Sequence, residues 1–264
     1  MRSDTDLPAR CLYVYGIVDA GIHPYLLAGA TRGAELELTT AGSVAAVHSW
    51  IDPAELQDVQ PDIAEGSRLA ELVRRHDDVV MALALAGAVL PVRLGTLLPD
   101  QGALTRILAD SEQHITAALE RVRGHAEWDL RARLASPPSE GDAEEPALAR
   151  SGAPTQQSGT AYLLGKRDAR ERAAERRDTI VAALNGLDSC LADLADETAG
   201  AGVDRSGFSA SRAYLVAEQT QQQFIAAAEE GITELERLGC AADLRGPLPA
   251  YAFADVRLEA HRDD

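Results

Sequence analysis

Ala88-Val89-Leu90-Pro91-Val92-Arg93-Leu94-Gly95-Thr96 is an apolar run entered through Gly87 and closed by a second glycine. Its length and its Val and Leu content predict a buried strand over residues 89–94. Pro91 has no N–H to give to a ladder and predicts an edge position or a bulge there. On a regular strand Arg93 would face away from Leu90, Val92 and Leu94. Just before this run, Leu69, Leu72, His76, Val80 and Leu83 recur three or four residues apart. They predict a helix over residues 67–86 that Gly87 ends.

The flanking sequence completes one domain. Residues 11–18 (CLYVYGIV) mix aromatic and β-branched side chains and predict a buried strand. Residues 36–40 and 43–51 predict a hairpin turned by Gly42, and Asp52-Pro53 is a helix-start signal. A helix follows over residues 101–123, carrying Leu104, Ile107, Leu108, Ile115, Leu119 and Val122. The alternation in Glu127-Trp128-Asp129-Leu130 predicts a half-exposed strand over 127–134. Strand, hairpin, helix, strand, helix, strand is the pattern of an α+β domain with a mainly antiparallel, ferredoxin-like sheet or a variant of it.

Residues 135–158 are rich in Pro, Ser, Gly, Gln and acids, and read as a flexible linker. After it, Ile180, Leu184, Leu187, Leu191 and Leu194 follow a coiled-coil-like spacing within a helix that Asn185-Gly186 can kink or break. Residues 196–207 read as a loop, 208–217 as a strand, 218–239 as an amphipathic helix and 251–258 as a final strand. Gly246-Pro247-Leu248-Pro249-Ala250 reads as a rigid turn feeding that strand and burying Tyr251 and Phe253. The expected organisation is an N-terminal domain over 1–134, a linker over 135–158 and a smaller α+β C-terminal domain over 159–264.

Composition narrows the function. The 264 residues carry a formal net charge of -17 and only 4% aromatics, so Ala, Leu and Val fill the core. Such a charge repels phosphate and argues against nucleic-acid and anionic-membrane partners. Lys166 is the sole lysine. Cys11, Cys190 and Cys240 have no metal-ligand spacing and read as reduced thiols. The polar first ten residues lack a signal-peptide core, and residues 79–90 are too short to span a bilayer. A cytoplasmic location is expected.

Chemistry-bearing patterns are sparse. His76, flanked by Arg74, Arg75, Asp77 and Asp78, reads either as a proton-transfer group or as a buried imidazole hydrogen-bonded to a strand or carboxylate; the second suits its apolar face better. Arg93 reads as an anion or carboxylate binder, or as a solvated or salt-bridged strand residue. Asp77-Asp78 diverge on a helix and Glu144-Glu145 lie in a loop, so neither pair suits a metal. Phosphate-loop, GxSxG and HExxH patterns are missing. The expectation is a protein without catalytic residues, cofactor or metal.

Six segments in order resemble the signature of the gas vesicle protein GvpL/GvpF family. They are Tyr13-Val14-Tyr15-Gly16-Ile17-Val18; His76 with Val79-Val80, followed by Val89 to Thr96; Glu127-Trp128; Ala161-Tyr162-Leu163-Leu164; Ala213-Tyr214-Leu215-Val216; and Gly246 to Phe253. Leu94 stands where the family usually has Phe, Leu248 where it often has Trp and Ala250 where it often has Pro. The resemblance implies a modified ferredoxin-like N-terminal domain, an α+β C-terminal domain and an accessory or minor structural role in gas vesicles. It further implies binding to the small hydrophobic main shell protein, and possible contacts with other accessory proteins. Arg93, Thr96, Tyr251 and Phe253 are the partner-binding candidates. The rival readings are an enzyme using His76 or Arg93 in a cleft, and a regulatory interaction protein that has left vesicle assembly.

Overall fold

Strand β1 (Cys11–Asp19) is buried along its first eight residues, because both of its faces are covered. It pairs antiparallel with β3 (Val44–Ile51) on one side. On the other side it pairs antiparallel with β4 (Val89–Pro91) and then with β5 (Leu97–Leu98). The computed structural model describes residues 10–22, 35–53, 68–134, 159–203 and 209–254. Strand β2 (Glu37–Ala41) pairs antiparallel with β3, so the order is β2-β3-β1-β4, with β5 added on β1. This order and these directions are those of a split β-α-β sheet, and β5 is its modification. Pro91 sits in the edge strand β4, where its missing N–H leaves no ladder partner wanting.

A bulge between Val14 and Gly16 shifts the register of β1 and turns Tyr15 and Gly16 to the same face. A Cβ on Gly16 would lie 3.0 Å from Val89 Cγ2 and 3.3 Å from the Leu90 carbonyl, so the glycine lets β4 close in. Helix α1 (Arg68–Ala86) covers this face. Its Leu72, Val79, Val80 and Leu83 pack with Cys11, Tyr13, Tyr15 and Val18. Leu12, Val14 and Ile17 point the other way. Helix α2 (Gln101–Val122) packs against β1, β2 and β3 and buries Leu104, Leu108, Ile115 and Leu119. Asp100 caps it, its carboxylate accepting from Ala103 N at 2.8 Å.

The second sheet has the order β7-β8-β6-β9, formed by β6 (His125–Leu134), β7 (Glu197–Val203), β8 (Ser209–Ala217) and β9 (Cys240–Leu248). Helices α3 (Gly159–Ala192) and α4 (Gln221–Arg237) accompany it. Their core joins Ile180, Leu184, Leu187 and Leu191 of α3 and Phe224, Ala228 and Leu235 of α4 to Trp128, Leu130, Tyr214 and Val216 of the strands. The fold is α+β. Its two compact units are Met1–Glu127 with Gly246–Asp264, and Trp128–Arg245.

Several expectations about individual elements change. The 127–134 strand belongs to the second sheet, because Trp128, Leu130 and Ala132 insert into the second core. Residues 196–207 are not a loop throughout: β7 forms by antiparallel pairing with β8 across an irregularity between Ala199 and Gly202. The last described strand is β9, not 251–258, and Tyr251–Phe253 lie in a turn. Helix α3 passes through Asn185-Gly186 unbroken, held by the buried Leu184 and Leu187 on either side. The compact units divide after Glu127 and again after Arg245, whereas the sequence places one division at 135–158. That linker, Glu144-Glu145 and the helix expected after Pro53 lie outside the described residues.

Candidate functional site

Unit 1 gathers two of the six signature segments, Val89 to Thr96 and the closing Gly246 to Phe253, around one buried pair, Tyr13 and His76. The period of α1 puts His76 on its sheet-facing side, where it is 1% exposed. The rings of Tyr13, Tyr15 and His76 pack mutually, with centroids 4.9 Å apart for the tyrosines and 5.7 Å for each tyrosine with the imidazole. The Gly95 N–H donates to the Tyr13 hydroxyl at 3.4 Å. The hydroxyl and His76 Nδ1 lie 2.9 Å apart and share a buried hydrogen bond. Nε2 is buried without a partner in hydrogen-bond geometry. Burial pushes the imidazole below its ordinary pKa, against weaker opposing pulls from Asp77 and the Val92 backbone. The backbone pull and the missing partner are compatible: Val92 favours a proton electrostatically without meeting the geometry of a bond. Burial likewise pushes the Tyr13 phenol up. His76 is thus a buried imidazole, closed off from solvent, whose uncharged form burial favours.

The β1 backbone fixes the turn after β4, and the Tyr13 hydroxyl adds one contact to it. Val92 N donates to the Tyr15 carbonyl at 3.0 Å and Val14 N to the Thr96 carbonyl at 3.1 Å, so β1 holds both ends. Between them Thr96 N and Oγ1 donate to the Arg93 carbonyl at 3.2 and 2.7 Å. Gly95 adopts φ 83°, which a side chain would resist. The strand ends at Pro91, so Arg93 lies on a turn instead of an opposite sheet face. Arg93 is exposed and Leu94 is 39% exposed.

The closing segment docks on the same unit through three polar contacts. Tyr251 donates its hydroxyl to the Asp77 carboxylate at 3.2 Å, one residue from His76. Ala252 N donates to Glu127 Oε2 at 2.7 Å, and Arg121 donates to the Phe253 carbonyl. Phe253 is 5% exposed and anchors the segment, whereas Tyr251 stays 40% exposed. Burial, and after it the Asp77 carboxylate, push the Tyr251 phenol up; Tyr13 and Glu127 are also within its electrostatic reach.

Of the four candidates, Arg93 and Tyr251 are exposed, Thr96 is half-buried with its hydroxyl on the Arg93 carbonyl, and Phe253 is buried. His76 and Arg93 do not share an open cleft. Sequence reasoning missed Tyr13, Asp77 and Glu127 as the groups that hold the two segments. The one signal for Tyr13 was its place, two residues from Tyr15, on the strand face that α1 covers. Among the described residues no group of three His, Cys, Asp or Glu side chains could hold a metal ion. No described helix is long and apolar enough to cross a membrane.

Comparison with known proteins bears on this architecture. Gas vesicle protein L of Streptomyces sp. (strain CB03234) is 27% identical over 266 residues, covering 95% of each chain. Gas vesicle protein F of the same strain is 26% identical, covering 92% of this chain and 99% of its own. The crystal structure of GvpF from Anabaena sp. PCC7120 superposes with a TM-score of 0.66 at 15% identity, over 97% of this chain and all of that one. GvpF from Microcystis aeruginosa gives a TM-score of 0.58 at 13% identity, over 93% and 99%. The profile described as "Gas vesicle synthesis protein GvpL/GvpF" matches residues 11–255, and the chain belongs to that family.

Proposed function

We propose that this protein is an accessory or minor structural component of gas vesicle assembly. It binds the hydrophobic main shell protein and limits its aggregation during nucleation, in the cytoplasm and in association with the vesicle. A shell subunit exposes apolar surface before it is incorporated, and such surface aggregates unless covered. The observation that carries the reading is a pair of exposed large side chains in the two signature segments, Leu94 at 39% and Tyr251 at 40%. Each sits on backbone pinned by hydrogen bonds, so little ordering entropy is lost on contact. Arg93, Leu94 and Tyr251 make the contact in this reading, while Thr96 and Phe253 hold their backbone in place. The net charge of -17 keeps the complex dispersed.

Co-expression with the main shell protein tests this. The wild-type chain should keep the shell protein in the soluble fraction and retain it on affinity capture. A Leu94→Asp/Tyr251→Ser variant with unchanged circular dichroism should lose both effects. Shell solubility that does not respond to the wild-type chain would refute the proposal.

A further inference from the structure

Helix α1 (Arg68–Ala86) changes character along its length. Its solvent side begins with Glu71, Arg74 and Asp77, all exposed. After Asp78 no side chain carries a charge, an amide or a hydroxyl until Arg93. The inward side of this apolar stretch is accounted for, because Val79, Val80 and Leu83 join Tyr13, Tyr15, Val18 and Val89 in the core. The outward side is not. Leu85 is 86% exposed, the most exposed large apolar side chain among the described residues. Ala86 beside it is exposed, and Met81 and Ala82 are half-buried.

Asp77, Met81 and Leu85 follow at four-residue steps and so form one ridge along the helix. Tyr251 stands at the Asp77 end of it, its hydroxyl on that carboxylate at 3.2 Å. Helix α1 and the closing segment both belong to unit 1. The ridge therefore continues the exposed surface that Tyr251 begins, and extends it by about 12 Å from Asp77 to Leu85.

Charge and backbone chemistry decide what covers it. Beyond Asp77 the ridge has no polar side chain with which to specify a partner, so the face that meets it is apolar. A second copy would bring a net charge of -17 against the same charge, with nothing on the ridge to offset it. The last turn of α1 holds no basic residue, so the partial negative charge of its carbonyls favours a cation on the partner. Strand addition alongside is disfavoured, because Pro91 removes a donor from the edge strand β4. We propose that Met81 and Leu85, flanked by Ala82 and Ala86, seat an apolar, non-acidic segment of the shell protein through side-chain packing, with Tyr251 closing one end. The inference rests on the function proposed above and extends its contact surface onto α1.

Co-expression of the full chain with the main shell protein, followed by affinity capture, tests this. Met81→Gln/Leu85→Gln should lower the captured shell protein by about tenfold or more, with unchanged circular dichroism. Leu85→Gln alone alters a side chain that touches little of the fold, and should lower capture severalfold without affecting thermal melting. Leu85→Met should leave capture unchanged. So should Leu164→Gln, which removes an exposed leucine from α3 in unit 2. Wild-type capture that survives Met81→Gln/Leu85→Gln, or that falls equally in Leu164→Gln, overturns the inference and leaves the proposed function standing. A wild-type chain that captures no shell protein overturns that function and the inference with it. Sedimentation velocity of the chain alone covers the other occupant: a wild-type dimer that Met81→Gln/Leu85→Gln reduces to monomer assigns the ridge to a second copy and overturns the proposal.

Discussion

Replacing Tyr13 by Phe removes one oxygen from the interior of unit 1 and leaves the ring in place. That oxygen lies 2.9 Å from His76 Nδ1 and 3.4 Å from Gly95 N. Gly95 is exposed, so its N–H can turn to water; His76, at 1% exposure, has no such outlet. Both imidazole nitrogens would then lack a hydrogen bond, since Nε2 has none in the native fold. Stranding a buried polar group costs about 1–3 kcal/mol, so Tyr13→Phe should destabilise unit 1 by about 2 kcal/mol. Removing both polar partners together is milder than removing one, so Tyr13→Phe/His76→Leu should fall short of the sum of the single changes by about 1 kcal/mol. Native-state hydrogen exchange reads this locally: the slowest β1 amides should exchange about thirtyfold faster in Tyr13→Phe. Exchange within about threefold of wild type, or a double variant as labile as the two singles summed, would show that the hydroxyl–imidazole bond does not hold the unit together.

Acid should weaken the same unit. His76 and His48 are both buried, and desolvation lowers the pKa of each below its ordinary value. His48 Nε2 bonds Thr39 Oγ1 at 2.8 Å and its Nδ1 has no partner in hydrogen-bond geometry. Above the unfolded value of about 6.5 neither state binds the proton and stability is flat. Below it the unfolded chain takes up protons that the folded chain resists, so stability falls by up to about 1.4 kcal/mol per pH unit for each histidine. Urea midpoints between pH 8 and pH 5 check this, and His48→Gln/His76→Gln should flatten the slope. In unit 2, Gly231→Ala improves helix propensity by about 1 kcal/mol but drives a methyl to 2.3 Å from Leu187 Cδ1, so thermal melting should show net destabilisation. Adding Leu187→Val should recover part of the loss.

Elements with a strong period or a strong turn could be read directly. The β2–β3 hairpin, α1, α2 and α4 follow from their apolar spacing and glycine stops, because local preference and tertiary burial agree there. Strand β7 was hidden: Glu197-Thr198-Ala199-Gly200-Ala201-Gly202-Val203 has few strand formers, and its conformation comes from pairing with β8. Strand β9 was hidden for a similar reason. Asp243, Arg245 and Gly246 dilute its pattern, and the aromatic Tyr251 and Phe253 draw the eye past it into a turn. At the candidate site the residue types were visible but their grouping was not. Tyr13 and His76 meet across a sequence gap of 63, and Tyr251 and Asp77 across 174, distances that only the closed sheet resolves.

The bipartite make-up of unit 1 has a consequence for biosynthesis. Residues 246–264 belong with residues 1–127, and the whole of unit 2 is translated between them. On a ribosome adding about 5–20 residues per second, those intervening residues take about 6–24 s. During that interval Glu127 and Arg121 wait for Ala252 and Phe253, and Asp77 waits for Tyr251. A chain interrupted anywhere in unit 2 therefore never presents Tyr251 on its docked backbone. The surface proposed for the shell protein matures only on chains whose second unit has been made, which withholds it from unfinished products.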